Sequence, residues 1–173
     1  LFTAAGGVSA NRIAKWNGST WTPLGSGMDW IVYALTVFDD GTGPALYAGG
    51  NFTMAGGVSA AGIAKWNGSV WSPLGDGMSG YGLDSMVRAL TVFDDLTGPA
   101  LYAGGFFATA GGVSALSIAK WNGSTWSALS TGLGGGNAVY ALTVFHDGTG
   151  PALYAGGSFF PYIAKWNPVE PGT

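Results

Sequence analysis

One pentapeptide constrains how this chain can fold: Ile-Ala-Lys-Trp-Asn occurs four times, starting at Ile13, Ile63, Ile118 and Ile163. Three further phrases recur with it. Ala-Leu-Thr-Val-Phe starts at Ala34, Ala89 and Ala141, and Ala-Leu-Tyr-Ala-Gly-Gly at Ala45, Ala100 and Ala152. Ala-Gly-Gly-Val-Ser-Ala starts at Ala5, Ala55 and Ala110. The pentapeptides are spaced 50, 55 and 45 residues apart. Self-similarity at such a period marks an array in which no unit buries its apolar face alone and each stacks on its neighbours.

Each unit reads as four short strands, A to D. Strand A is Val32–Phe38, Val87–Phe93 and Val139–Phe145, rich in β-branched and aromatic residues. A cluster such as Asp39-Asp40-Gly41-Thr42-Gly43-Pro44 follows, which is turn chemistry. Strand B starts at Ala45, Ala100 and Ala152 and ends in two glycines, which suit a bend or a close backbone approach. Strand C is the recurring pentapeptide. Asn-Gly follows its first three copies, at Asn17, Asn67 and Asn122, and predicts a hairpin with a type I′ turn. Strand D is Thr20–Leu24, Val70–Leu74 and Thr125–Leu129. Turn clusters interrupt the chain too often for helices. The expected fold is therefore all-β: four-stranded antiparallel units of about 50 residues, the pattern of a β-propeller blade.

The residues that carry this pattern also resemble a family. The Gly-Gly ending strand B, the Trp in strand C and the Trp-x-x-Leu of strand D look like the kelch and galactose-oxidase type of repeat. The string Tyr47-Ala48-Gly49-Gly50-Asn51-Phe52-Thr53 followed by Ile63-Ala64-Lys65-Trp66 is similar to secreted bacterial delta-60-type and fungal Rax2-type propeller repeats. The resemblance covers nearly the whole chain and implies a propeller. The copper ligands and thioether cysteine of galactose oxidase have no counterpart, so that oxidase chemistry does not carry over.

Composition excludes several functions. Hydrophobic residues at 47% and charged residues at 9% exclude intrinsic disorder. With only 6 Lys+Arg and a net charge of −3, the chain has no basic footprint for nucleic acid. It has no Cys, hence no disulfide framework and no thiolate site. No apolar run approaches the ~20 residues of a membrane helix. The chain opens at Leu1 in mid-pattern, with no starting Met and no signal peptide, and so reads as a processed or partial piece.

Candidate chemistry is sparse. His146, the only histidine, stands where the other units have Asp39 and Asp94 and reads as a turn substitution. The acidic turns Asp39-Asp40, Asp94-Asp95 and His146-Asp147 could offer oxygen to calcium, but each holds few of the six to eight ligands calcium takes. No metal, cofactor or catalytic residue is expected. Lys15, Lys65, Lys120 and Lys165 each precede a Trp, a placement that suggests packing on a neighbouring aromatic face. The pairs Trp16/Trp21, Trp66/Trp71 and Trp121/Trp126 read as packing between units, and exposed ones could stack on sugars. Asn17, Asn51, Asn67 and Asn122 each open an N-glycosylation sequon. The D–A loops at 29–31, 79–86 and 134–138 vary between units, and variable loops on a rigid scaffold carry recognition. Trp30, Tyr81, Asp84 and Arg88 are the ligand-binding candidates there.

Residues 1–31 supply strands C and D, 32–86 and 87–138 complete units, 139–167 strands A to C, and 168–173 a tail. That tally is about 3.25 blades, short of the four to eight of a closed propeller. The last unit omits the Ala-Gly-Gly-Val-Ser-Ala segment and replaces Asn-Gly with Asn167-Pro168, so strand D is expected to be missing and the array to end there. Open edges invite another chain. The function expected is a non-catalytic, extracellular or cell-surface structural or adhesive repeat module. It would assemble edge to edge with copies of itself or with further repeats of a longer chain. The alternative is a carbohydrate-binding, lectin-like propeller using the variable loops and exposed Trp.

Overall fold

The computed structural model describes residues 1–80 and 85–168. These residues form strands and turns and no helix. The first unit holds β1 (Ala4–Ala5), β2 (Val8–Ser9), β3 (Ala14–Trp16) and β4 (Trp21–Pro23). The second holds β5 (Val32–Asp39), β6 (Pro44–Gly50), β7 (Met54–Ala55), β8 (Val58–Ser59), β9 (Ile63–Trp66) and β10 (Trp71–Pro73). After the short β11 (Met78–Ser79), the third holds β12 (Met86–Asp94), β13 (Pro99–Phe106), β14 (Thr109–Ala110), β15 (Val113–Ser114), β16 (Ile118–Trp121) and β17 (Trp126–Ala128). The fourth holds β18 (Val139–His146), β19 (Pro151–Gly157) and β20 (Ile163–Trp166).

The expected pairing of strands A to D in chain order is what the chain does. Two four-stranded antiparallel sheets run β5-β6-β9-β10 and β12-β13-β16-β17, and a three-stranded sheet runs β18-β19-β20. Registers repeat from unit to unit: Thr36 faces Tyr47 and Tyr47 faces Lys65, as Thr91 faces Tyr102 and Tyr102 faces Lys120. Each strand A carries an irregularity at its start, between Val32 and Ala34, Val87 and Ala89, and Val139 and Ala141. In the first unit, among the described strands, β3 pairs only with β4.

Two sequence expectations change. The Asn-Gly turn is not type I′. Trp16 pairs with Trp21, so the loop has four residues, and only Gly18 of its first two takes a positive φ, at 102°. The Asn17 side chain explains this: its Oδ1 accepts from the N–H groups of Ser19 and Thr20 at 3.0 and 2.9 Å, which closes the loop without a left-handed Asn. Asn67 and Asn122 do the same in their units. The Ala-Gly-Gly-Val-Ser-Ala phrase, in turn, is not a plain loop but a small hairpin between strands B and C: β1-β2, β7-β8 and β14-β15.

That hairpin clips one unit to the one before it. Met28, just past strand D of the first unit, bridges Ala55, and Met78 pairs with Ala110 in the same way. Gly56 N–H donates to Gly27 O, and Gly111 N–H to Gly77 O, both at 2.7 Å. Strand D adds a second tie. The indole N–H of Trp71 donates to Leu24 O at 2.9 Å and that of Trp126 to Leu74 O at 3.0 Å. Strand B adds a third. A Cβ on Gly49 would stand 2.5 Å from Val87 Cγ1, and one on Gly104 would stand 2.5 Å from Val139 Cγ1. Only glycine lets strand A of the next unit approach so closely. The core accordingly lies between sheets: Phe38 and Tyr47 pack with Val87, Leu101, Trp121 and Trp126.

Candidate functional site

The most strongly perturbed ionisable groups form one cluster repeated in three units. Asp40 Oδ2 accepts from Lys65 Nζ and from Tyr47 OH, the latter at 2.9 Å, while its Oδ1 accepts from Thr42 Oγ1 at 2.6 Å. Asp95, Thr97, Tyr102 and Lys120 repeat the arrangement, as do Asp147, Thr149, Tyr154 and Lys165. Register creates it: Tyr faces Lys across strands B and C, and the A–B turn curls its second Asp over both. Burial pushes the Asp40 and Asp95 carboxyls up, but hydrogen bonds from Lys, Thr and Tyr outweigh it and hold both below the usual carboxylate range, Asp95 at about 2. Burial and then the adjoining carboxylate push the Tyr47 and Tyr102 hydroxyls up. At Asp147 the Lys165 hydrogen bond leads, and the carboxyl is again held low. In each cluster the carboxylate takes its Lys, Thr and Tyr hydrogen bonds from its own unit and ties strands B and C to the A–B turn. Three of the four lysines expected on aromatic faces, Lys65, Lys120 and Lys165, reach these carboxylates instead; among the described residues only Lys165 also lies over a ring, 5.9 Å from the Tyr154 centroid.

The other candidates separate. Asp39 and Asp94 accept from N–H groups of their own turns, and no three His, Cys, Asp or Glu side chains among the described residues group as metal ligands do. His146, in the equivalent place, is exposed on β18. Asn17, Asn67 and Asn122 are exposed at their turns, and Asn51 is half-buried, with Thr53 of its sequon donating to Asp29. Trp30 is exposed beside Asp29, whose carboxylate binds Thr53 and the N–H of Met54. Arg88 is not on a loop. It lies in β12, its guanidinium 4.9 Å from the Tyr33 ring and 5.4 Å from the Tyr140 ring, at the same strand-A position in three successive units. Tyr81 and Asp84 lie outside the described residues.

What sequence reasoning missed is where the inter-unit contacts stop. A Cβ on Gly156 would meet nothing closer than Tyr162 O at 4.0 Å, so the valine seat of strand B stands open there. Phe145, equivalent to the buried Phe93, is 58% exposed. Leu129 O accepts from Gly132 N–H and, among the described residues, from no indole. At the other end Trp21, equivalent to Trp71 and Trp126, is 39% exposed and Leu35 51% exposed, and Lys15 meets no carboxylate among the described residues. Exposed apolar residues thus gather at two ends and carry opposite halves of one contact.

No protein-family model, curated protein or solved structure matches this chain. No helix among the described residues is long and apolar enough to cross a membrane.

Proposed function

We propose that this chain is a non-catalytic repeat module of the propeller type, its sheets acting as blades, and that it serves as an extracellular structural or adhesive element joined edge to edge with further copies. The observation that carries the reading is the pair of unfilled ends: the open glycine seat at Gly156 and the exposed Trp21 and Leu35 are two halves of a contact that the chain makes twice within itself. A heterologous contact of this kind gives a ring if its rotation closes and a filament if it does not. The Asp–Lys–Tyr clusters favour a scaffold, since their polar groups are spent on one another. Three exposed turns bearing glycosylation sequons support a secreted setting. Electron microscopy of the purified protein tests the reading: discrete rings or filaments support it, and uniform particles of single-chain size overturn it.

Carbohydrate binding is the second reading. Trp30 favours it, because the ring is 47% exposed on a D–A loop, and a flat apolar face with a polar edge suits a sugar. Quenching of tryptophan fluorescence by oligosaccharides, lost in Trp30→Ala, would support this reading.

A further inference from the structure

Consecutive units meet through a fixed set of contacts. The B–C hairpin of one unit clips to the segment after strand D of the unit before, the strand-D indole donates to the preceding strand-D carbonyl, and strand-A valine seats on strand-B glycine. The third unit offers the first two of these forward: Gly132, Leu133 and the Leu129 carbonyl correspond to Gly77, Met78 and the Leu74 carbonyl. The described residues of the fourth unit do not take them, since they hold neither hairpin nor strand D. A cavity of about 190 Å³ remains, lined by Leu129, Gly132, Leu133, Lys165 and Trp166 among others. Residues 1–24 are the complementary fragment: a hairpin, a strand C and a strand D, with no strands A and B beside them. Where that A–B pair would lie, beside β3 and the backward face of the second unit, there is a gap of about 380 Å³ lined by Ile13, Leu35, Leu46 and Trp66 among others.

We infer that residues 1–24 of a second copy dock on the C-terminal sheet, their Ile-Ala-Lys-Trp-Asn strand taking the place on β19 that β20 holds in the lone chain. The occupant is a second copy because residues 13–17, which contain β3, and 163–167, which contain β20, are the same pentapeptide, so β19 meets the same side chains in the same register. Lys15 replaces Lys165 on Asp147, and Trp16 replaces Trp166 against Phe93 and Tyr102. For strand C the exchange is even. The gain lies in what arrives with it: Trp21 N–H reaches Leu129 O, Gly6 N–H reaches Gly132 O, and Ala5 pairs with Leu133, as Trp126, Gly111 and Ala110 do with Leu74, Gly77 and Met78. The β18-β19 pair in turn fills the gap in the second copy, setting Val32 on Gly156 as Val87 sits on Gly49 and Val139 on Gly104. The strand given up is the weaker one: Ile163 is 65% exposed where Ile63 and Ile118 are buried. This docking rests on the assembly reading above and specifies its contact.

The chain has no cysteine, which makes the test clean. Met28 and Ala55 oppose each other between hydrogen bonds from Asp29 N to Met54 O and from Gly56 N to Gly27 O, a non-hydrogen-bonded pair whose short Cα separation suits a disulfide. Leu133 and Ala5 of a second copy would oppose each other alike. Ala5→Cys and Leu133→Cys proteins carrying tags of different size are mixed and oxidised, and the light scattering of the unoxidised mixture is measured alongside. The expected result is mixed disulfide at least about tenfold above that from Leu133→Cys mixed with Val70→Cys, whose cysteine sits on an exposed turn outside the contact. Trp21→Phe in the Ala5→Cys partner should lower the yield. Assembly without excess mixed disulfide would overturn the docking and leave the assembly reading standing; a monomer without it would overturn both.

Discussion

Gly104 and Gly156 occupy equivalent places, and the account assigns them opposite sensitivities. At Gly104 an added Cβ would press on the buried Val139, so Gly104→Ala should destabilise the fold by about 1–3 kcal/mol in chemical denaturation. Gly156→Ala meets open space in the lone chain and should leave its stability within about 0.5 kcal/mol, yet it should weaken self-association because it blocks the seat proposed for Val32. The Asp95 cluster makes a second residue-scale prediction. The Lys120 and Asp95 side chains are only 14% and 9% exposed, so Asp95→Ala strands a lysine and a tyrosine hydroxyl and should cost about 1–3 kcal/mol. The Asp95 carboxyl is held at about 2, below its unfolded value of roughly 3.9, so its contribution to stability is complete above about pH 4 and is lost as the pH falls toward 2. Acid denaturation followed by tryptophan fluorescence should show that loss, and Asp95→Asn should flatten the curve in this window. Little of this was legible in the sequence. The repeated lysine and acidic turn were visible, but 25 residues separate Lys65 from Asp40, and only the strand B–C register brings them together. Arg88 fell inside the expected strand A yet was grouped with the loop candidates, and the two rings that flank it, from strand A of the neighbouring units, leave no mark in its local sequence.

Among the elements, strands A and B were legible because they run seven to nine residues with strong β-formers, long enough for a pattern to register. The two-residue strands of the B–C hairpins were not, since period-two alternation cannot be detected over two residues. Their one signal was recurrence of Ala-Gly-Gly-Val-Ser-Ala, whose glycines at 56 and 111 pass under the Trp71 and Trp126 rings, 2.7 and 2.6 Å from a hypothetical Cβ. The type I′ expectation failed for a related reason: a dipeptide rule does not register that the Asn side chain can close a longer loop. Strand D ties sheet to sheet, so its indole can be tested alone. Trp126→Phe keeps an aromatic ring but strips the Leu74 carbonyl of its donor, and should cost about 1–3 kcal/mol by thermal or chemical denaturation. Trp21→Phe removes the equivalent donor where, among the described residues, no hydrogen bond to an acceptor is made, so the lone chain should keep its stability and only assembly should weaken.

For the molecule as a whole, the all-β character and the chain-order sheets followed from repetition, and the broken tally at both ends pointed to an unfinished array. What repetition alone could not reveal was which contacts remain unfilled, because that depends on how sheets lie against each other. The structure resolves the matter at Gly156, Trp21 and Leu35, which are more open than Gly49 and Gly104, Trp71 and Trp126, and Leu90 and Leu142 of the inner units. Displacing β20 leaves three four-stranded sheets per copy, so two copies would make six, within the range of closed propellers. Sedimentation velocity of the chain over a range of concentrations tests this most directly. The 17.5 kDa chain is expected to sediment as a species of twice that mass or more, dissociating only on dilution. A stable 17.5 kDa monomer at every concentration would contradict it.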